Sequence, residues 1–141
     1  MPITAQLAAR PASHIAVRNY GVTDIPEGTA VIWDLVNVDP MKAQGIVVPA
    51  AAGAVAPAAG ITADTIKAGG WGRLAVSDGE AVAVADGAIA MGDYVQISST
   101  AAKMGRVKTL VAASGAQLGR AMNAAADGDP VVIELAIAKS A

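Results

Sequence analysis

The chain has no cysteine, no phenylalanine and one histidine, His14, among its 141 residues. Without cysteine there is no disulfide, no thiolate nucleophile and no zinc–thiolate site. Only four aromatic side chains are present: Tyr20, Trp33, Trp71 and Tyr94. The core must come from Val, Ile, Leu and Ala, each of which buries less area than an aromatic ring. A chain of this length folds as one domain and buries roughly two-thirds of its unfolded surface. With 54% hydrophobic residues but few large ones, apolar surface is left over. A subunit interface is the expected place for it.

Charge is also scarce. The net charge of −2 argues against a nucleic-acid partner. The opening MPITAQLAARPASH has no basic segment followed by an apolar run, so no secretory signal is expected. Between Lys42 and Asp64 there is no charged residue, a length that could span a bilayer. Pro49, Pro57, Gly53 and Gly60 break such a helix, and Ala adds little insertion energy, so no membrane segment is expected.

What is present is a succession of short alternating strands and small-residue turns, an all-β pattern. In TAVIWDL, Val31, Trp33 and Leu35 share one face, Ile32 and Asp34 the other. Ile46–Val48 reads as a short second strand. Residues 49–60, rich in Ala, Pro and Gly, read as a surface loop, and ADTIKAGG as one helical turn ended by Gly69 and Gly70. Strands follow around Leu74 and Val76, Val82 and Val84, Val95 and Ile97, and Val107 and Val111, between Asp78-Gly79, Asp86-Gly87 and Gly92-Asp93 turns. Residues 83–108 and 115–138 look like two units of one kind. Leu118 and Met122 are expected to share a face. In the last strand Val131, Ile133, Leu135 and Ile137 point one way, and Val132, Glu134 and Ala136 the other. Such close turn spacing predicts a small barrel or sandwich, and the domain over residues 21–141 is expected to be a Gly/Ala-rich β-barrel or β-tulip-like domain.

Residues 1–20 read as an extended N-terminal arm. Ile3, Leu7, Ile15 and Val17 have no sustained period, and Pro2 and Pro11 prevent one long helix. Arg10 and Arg18 make the arm basic, the first acid being Asp24, so the rest of the chain is acidic. A basic arm on an acidic body suits anchoring to an acidic partner surface. It could add a strand to an exposed sheet edge through Ile15 and Val17, with Arg18 at the rim. Deleting residues 2–18 is then expected to spare the fold.

Reactive groups are few. Ser13 and His14 are neighbours in the arm, without the third group and rigid scaffold that a triad needs. Asp78, Asp86, Asp93, Asp127 and Asp129 are turn carboxylates. Asp127 and Asp129 flank Gly128, but the spacing and closing Glu of a calcium loop are absent. Gly69-Gly70-Trp71-Gly72-Arg73 lacks the GK[ST] of a phosphate loop, and a Gly-flanked Trp71 suits packing over backbone or against a second subunit. Lys103, Arg106 and Lys108 lack interleaved aromatics and read as a solvated face. Lys103-Met104, at an expected hairpin tip, resembles in reversed order the Met-Lys dipeptide of biotinyl and lipoyl carrier domains. That resemblance implies a prosthetic group on Lys103 and is the alternative reading. Otherwise no cofactor or metal is expected, and no catalysis.

AVADGAIAMGDYVQI (residues 83–97), the Gly105 turn, QLGRAM and DPVVIEL together resemble the phage capsid cement or head decoration proteins. Ile89, Gly92, Asp93, Val95, Gly105, Val107, Leu118, Gly119, Ala121, Asp129, Val131 and Ile133 stand at the family's pattern positions, and PEGTAVIW resembles its first strand. The resemblance covers residues 26–137. It implies a non-enzymatic, often trimeric protein on the outer face of the virion head, clamping copies of the major capsid protein. On that reading the arm residues Ile3, Leu7, Arg10, Ile15, Val17, Arg18 and Tyr20 are the expected capsid contacts, and Trp71 an oligomer contact. The arm and the insertion at 49–60 depart from the shorter members.

Overall fold

The computed structural model describes residues 12–34, 45–48, 58–77, 79–98, 100–110 and 117–137. Among these there are ten strands. They are β1 (Ser13–Arg18), β2 (Ala30–Trp33), β3 (Ile46–Val47), β4 (Ala58–Thr62), β5 (Trp71–Ser77), β6 (Glu80–Val84), β7 (Tyr94–Ile97), β8 (Val107–Thr109), β9 (Gln117–Ala121) and β10 (Pro130–Leu135). The protein is all-β, with one short 3₁₀ turn at Ala101–Lys103.

The strands form two five-stranded antiparallel sheets, ordered β1-β5-β4-β2-β3 and β6-β10-β9-β7-β8. Each strand of the first sheet has its counterpart five strands later, in the same order. The chain is thus a tandem repeat, β1–β5 followed by β6–β10. Register agrees at residue level. Thr62 faces Leu74 and Ile61 faces Ala75 in the first repeat; Ala121 faces Ile133 and Arg120 faces Glu134 in the second. The paired amides of Ile25 and Ile66 recur at Ile89 and Ala125. The side chain of Asp64 accepts from the Arg73 amide, and that of Asn123 from the Val132 amide. Gly28 and Gly92 occupy the same turn, at φ of 80° and 92°, a backbone region that favours glycine. Gly60 and Gly119 each lie against a neighbouring strand's carbonyl, where a Cβ would collide. In each repeat the sheet curls. A parallel bridge, Arg18 to Gly45 or Ala85 to Val107, brings its two edge strands together at one end.

Each repeat fills itself with aliphatic side chains. Val17, Ile25, Val31, Ile46, Ile66 and Leu74 form a buried cluster within the first. Their counterparts Ala83, Ile89, Val95, Val107, Ala125 and Ile133 lie in the cluster of the second. Burying one such Val, Leu or Ile is worth about 1.5–3 kcal/mol. The second cluster also takes in Ala30, Ala58, Ile61 and Ala75 of the first repeat. These join the repeats, together with the Ala30 amide on the Gly105 carbonyl at 2.8 Å.

Several expectations change. Residues 13–18 are a strand hydrogen-bonded along β5, so the β domain starts before residue 21. One backbone edge of this strand is spent on β5 within the chain, and fully buried Val17 fixes the register. Residues 58–60 are not loop but buried strand, small enough to fit between β2 and β5. Residues 64–70 form no helical turn, since Ile66 extends to bridge Ile25 before the Ala68-Gly69 turn. The units expected at 83–108 and 115–138 are two parts of the second repeat, because β9 and β10 complete the sheet of β6–β8. Met122 is exposed while Leu118 and Ala121 are buried. The pairing shifts where β9 passes Val95 and Gln96, which turns Leu118 inward without its expected partner. The last strand matches expectation: Val131, Ile133 and Leu135 are buried and Glu134 is exposed.

Candidate functional site

Three of the expected contact residues meet at one end of the first repeat. Arg18 ends β1, Trp71 opens β5, and the two are partners across the pair. Cross-strand partners project to the same face. The Arg18 guanidinium lies 5.0 Å from the centroid of the Tyr20 ring, and its Nε donates to the Gly69 carbonyl at 3.1 Å. The Tyr20 ring also rests against Gly45, where a Cβ would come within 2.6 Å of Cδ2. Trp71 is 60% exposed, and Val22 projects almost wholly into solvent from the adjoining bend.

Asn19 builds this platform. It is buried, and its Nδ2 donates to the carbonyls of Thr23 and Ile66 at 2.8 and 3.2 Å. Its Oδ1 accepts from the Gly21 amide at 2.9 Å. Its backbone exchanges hydrogen bonds with Gly69 and Gly70. A buried amide so saturated rigidifies the loop that carries Tyr20 and Val22. The sequence reading passed over Asn19, Val22 and Gly45; the Asn-Tyr-Gly run before a bend was the available signal. Beside the platform Asp24 accepts from the Ala68 amide and from Lys67. Those two bonds hold its carboxyl below the usual range.

Of the other expected contacts, Ile15 is exposed on β1, whereas Val17 is core and unavailable to a partner. Ile3, Leu7 and Arg10 lie outside the described residues.

The corresponding end of the second repeat is charged. Lys103 Nζ lies 2.8 Å from Asp127 Oδ1 and 3.5 Å from Asp86 Oδ1, and Arg106 lies 3.6 Å from Asp127. Ser98 Oγ donates to Asp86, and the Gly87 amide to Asp127 at 3.0 Å. The Lys103 hydrogen bond, then that of Gly87, lowers the Asp127 carboxyl. Burial pushes Asp86 up, but the Ser98 and Thr100 hydrogen bonds and the Lys103 charge outweigh it, for a net lowering. Asp127, then Asp86, raises Lys103.

This geometry disfavours the carrier reading. A swinging-arm lysine is presented at a turn tip, whereas Lys103 is folded back onto two carboxylates. It also accounts for the basic group at Lys103 and Arg106 as internal ion pairs. The amides of Gly69 and Gly70 are bonded to Asn19 and Lys67, so no cradle for a phosphate forms there. Ser13 and His14 are both exposed on β1. Among the described residues no three of His, Cys, Asp or Glu are grouped to hold a metal ion, and no helix is long and apolar enough to cross a membrane.

A solved structure shares this fold. It is the N base of the head fiber gp8.5 of bacteriophage phi29, with a TM-score of 0.61 and 14% identity. The match covers 92% of this chain and 98% of that one. No protein-family model matches the chain, and no curated protein matches it.

Proposed function

We propose that this chain is a structural protein of a phage head that sits on the outer surface of the capsid and reinforces the shell. The observation that carries this reading is the shared fold with the base of a phage head fiber, which extends over nearly the whole of both chains. The order of motifs resembling the head decoration proteins points the same way. The docking surface is the Arg18–Tyr20–Trp71 platform, and the partner is the major capsid protein. Trp, Tyr and Arg are the side chains that most often dominate protein–protein binding energy. Here they stand together on a scaffold fixed by Asn19, so little entropy is lost on docking. Ile3, Leu7 and Arg10 extend the capsid contact from the N-terminal side.

The test is co-sedimentation with expanded heads of the encoding phage. Wild-type protein saturates a fixed number of sites. Trp71→Ala keeps the thermal midpoint, because the ring is exposed, and raises the half-saturating concentration at least tenfold. Absence of binding by the wild type overturns the reading. Undiminished binding by Trp71→Ala removes the platform from it.

A further inference from the structure

The tandem repeat leaves one surface in two versions. In the first repeat Ala30, Ile61 and Ala75 are partners across β2, β4 and β5. They are buried in the core shared with the second repeat. Beside them Gly28 backs onto the Val82 carbonyl of β6, and the Ala30 amide reaches the Gly105 carbonyl. The counterpart row in the second repeat is Tyr94, Arg120 and Glu134, partners across β7, β9 and β10. All three are exposed.

That row is no ordinary solvated face. Tyr94 is 53% exposed and Met91, in the turn before it, 71%; Met122 follows along β9. The Arg120 guanidinium lies 5.7 Å from the centroid of the Tyr94 ring, and its Nε donates to the Gly92 carbonyl at 3.2 Å. These three are the large exposed apolar side chains among the described residues of the second repeat, and Tyr94 carries the Arg120 guanidinium. Aromatic, Met and Arg side chains together are the composition of an interface.

The receiving side also has two versions. Val82 and Val132 are partners on the β6–β10 pair and both are buried, and the Val82 carbonyl lies against the Gly28 turn. Their counterparts on β1 and β5, Ala16 and Arg73, are partners and both exposed.

We propose that the Tyr94–Arg120 face of one chain docks on the Ala16–Arg73 strand pair of a second copy, continuing between chains the contact that joins the repeats within one. Each face carries charges of both signs, Arg120 beside Glu134 on the docking face and Arg73, held bidentate by Asp64, on the receiving one. The contact joins unlike surfaces, so it propagates from chain to chain; the proposed form is the closed ring, which needs a rotation between copies that divides the full turn. It goes beyond the capsid-docking reading and does not depend on it, because it uses neither Trp71 nor Tyr20.

The test is light scattering on purified full-length protein without capsids. Wild type is expected at a discrete multiple of 13.9 kDa. Arg120→Glu with Tyr94→Ser disables the docking face, and Ala16→Arg the receiving face. Each variant should be a monomer that still unfolds cooperatively, at a thermal midpoint no higher than that of the wild-type assembly. Mixed at several hundred micromolar, the two variants should give a one-to-one dimer and nothing larger, since each keeps one working surface. A monomeric wild type overturns the proposal. So does a multimer that survives either variant, or a mixture that stays monomeric.

Discussion

Gly72 and Ile66 fill one space between them. A Cβ added at Gly72 would lie 2.8 Å from Ile66 Cδ1 and closer still to Cγ1. In the second repeat the same two places are held by Val131 and Ala125, so the large residue has changed strands while the shared volume is kept. Gly72→Val should therefore overpack the first repeat and cost about 1–3 kcal/mol. Ile66→Ala should cost about 2–5 kcal/mol by leaving a cavity. The double variant recreates the arrangement of the second repeat and should lose less than the sum of the two, by at least 1 kcal/mol on the scale of contacting pairs. Urea midpoints with unchanged m-values give these figures. Additive losses would mean the two sites do not share a space.

This exchange also explains why the repeat was hidden in the sequence. The stretches GITADTIKAGGWG and GRAMNAAADGDPV occupy the same backbone and share few residues. What the two keep is backbone chemistry: a glycine against a carbonyl, an Asx side chain on a neighbouring amide, a glycine in the turn. Alternation in β10 and the Gly-Asp turn at Gly92 were legible because one face is apolar or one backbone angle is special. Strand β1 was not, since only Val17 of its six residues is buried, and an edge strand with one anchor reads as an arm. Of the candidate site, Arg18, Tyr20 and Trp71 were named singly from composition. Their meeting depends on the β1–β5 register, which pairs residues distant in the chain.

Leu135 and Glu134 test the face of the last strand. Leu135 is buried in the shared core, whereas Glu134 points to solvent. Leu135→Ala should cost about 2–5 kcal/mol. Glu134→Ala should stay within about 0.5 kcal/mol. Both are read by chemical denaturation at one protein concentration. Equal losses would place the two side chains on the same face.

Removal of residues 2–18 should damage the fold. The deletion takes away β1, leaves β5 without its outer partner and opens the space of Val17. It also cuts the chain directly before Asn19, whose bonds organise the Tyr20 loop. A large fall in the thermal midpoint, or failure to fold, is expected. Removal of residues 2–11 spares β1 and isolates the expected contribution of Ile3, Leu7 and Arg10 to capsid binding. A 2–18 deletion with a wild-type midpoint would show that β1 is dispensable.

The charged cluster at Asp86, Lys103 and Asp127 should make stability depend on pH at both extremes. Asp86 and Asp127 are held below their usual range in the folded protein. Their contribution is therefore complete above the ordinary carboxylate value of about 3.9 and is lost as the pH falls through the lower folded values. Lys103 is raised. Its contribution is complete below about 10.4 and is lost as the pH rises through the higher folded value. The Asp86 side chain is only 9% exposed, so bulk water compensates poorly for a lost partner. Lys103→Met should lower the thermal midpoint near neutral pH, where all three groups are charged, and flatten its fall on acidification. As the pH falls through those lowered folded values the variant and the wild type should converge, because the carboxylates become protonated in both. Thermal midpoints measured from pH 2.5 to 8 decide the matter. A constant offset between the two proteins across that range would mean that Lys103 acts by packing rather than by charge.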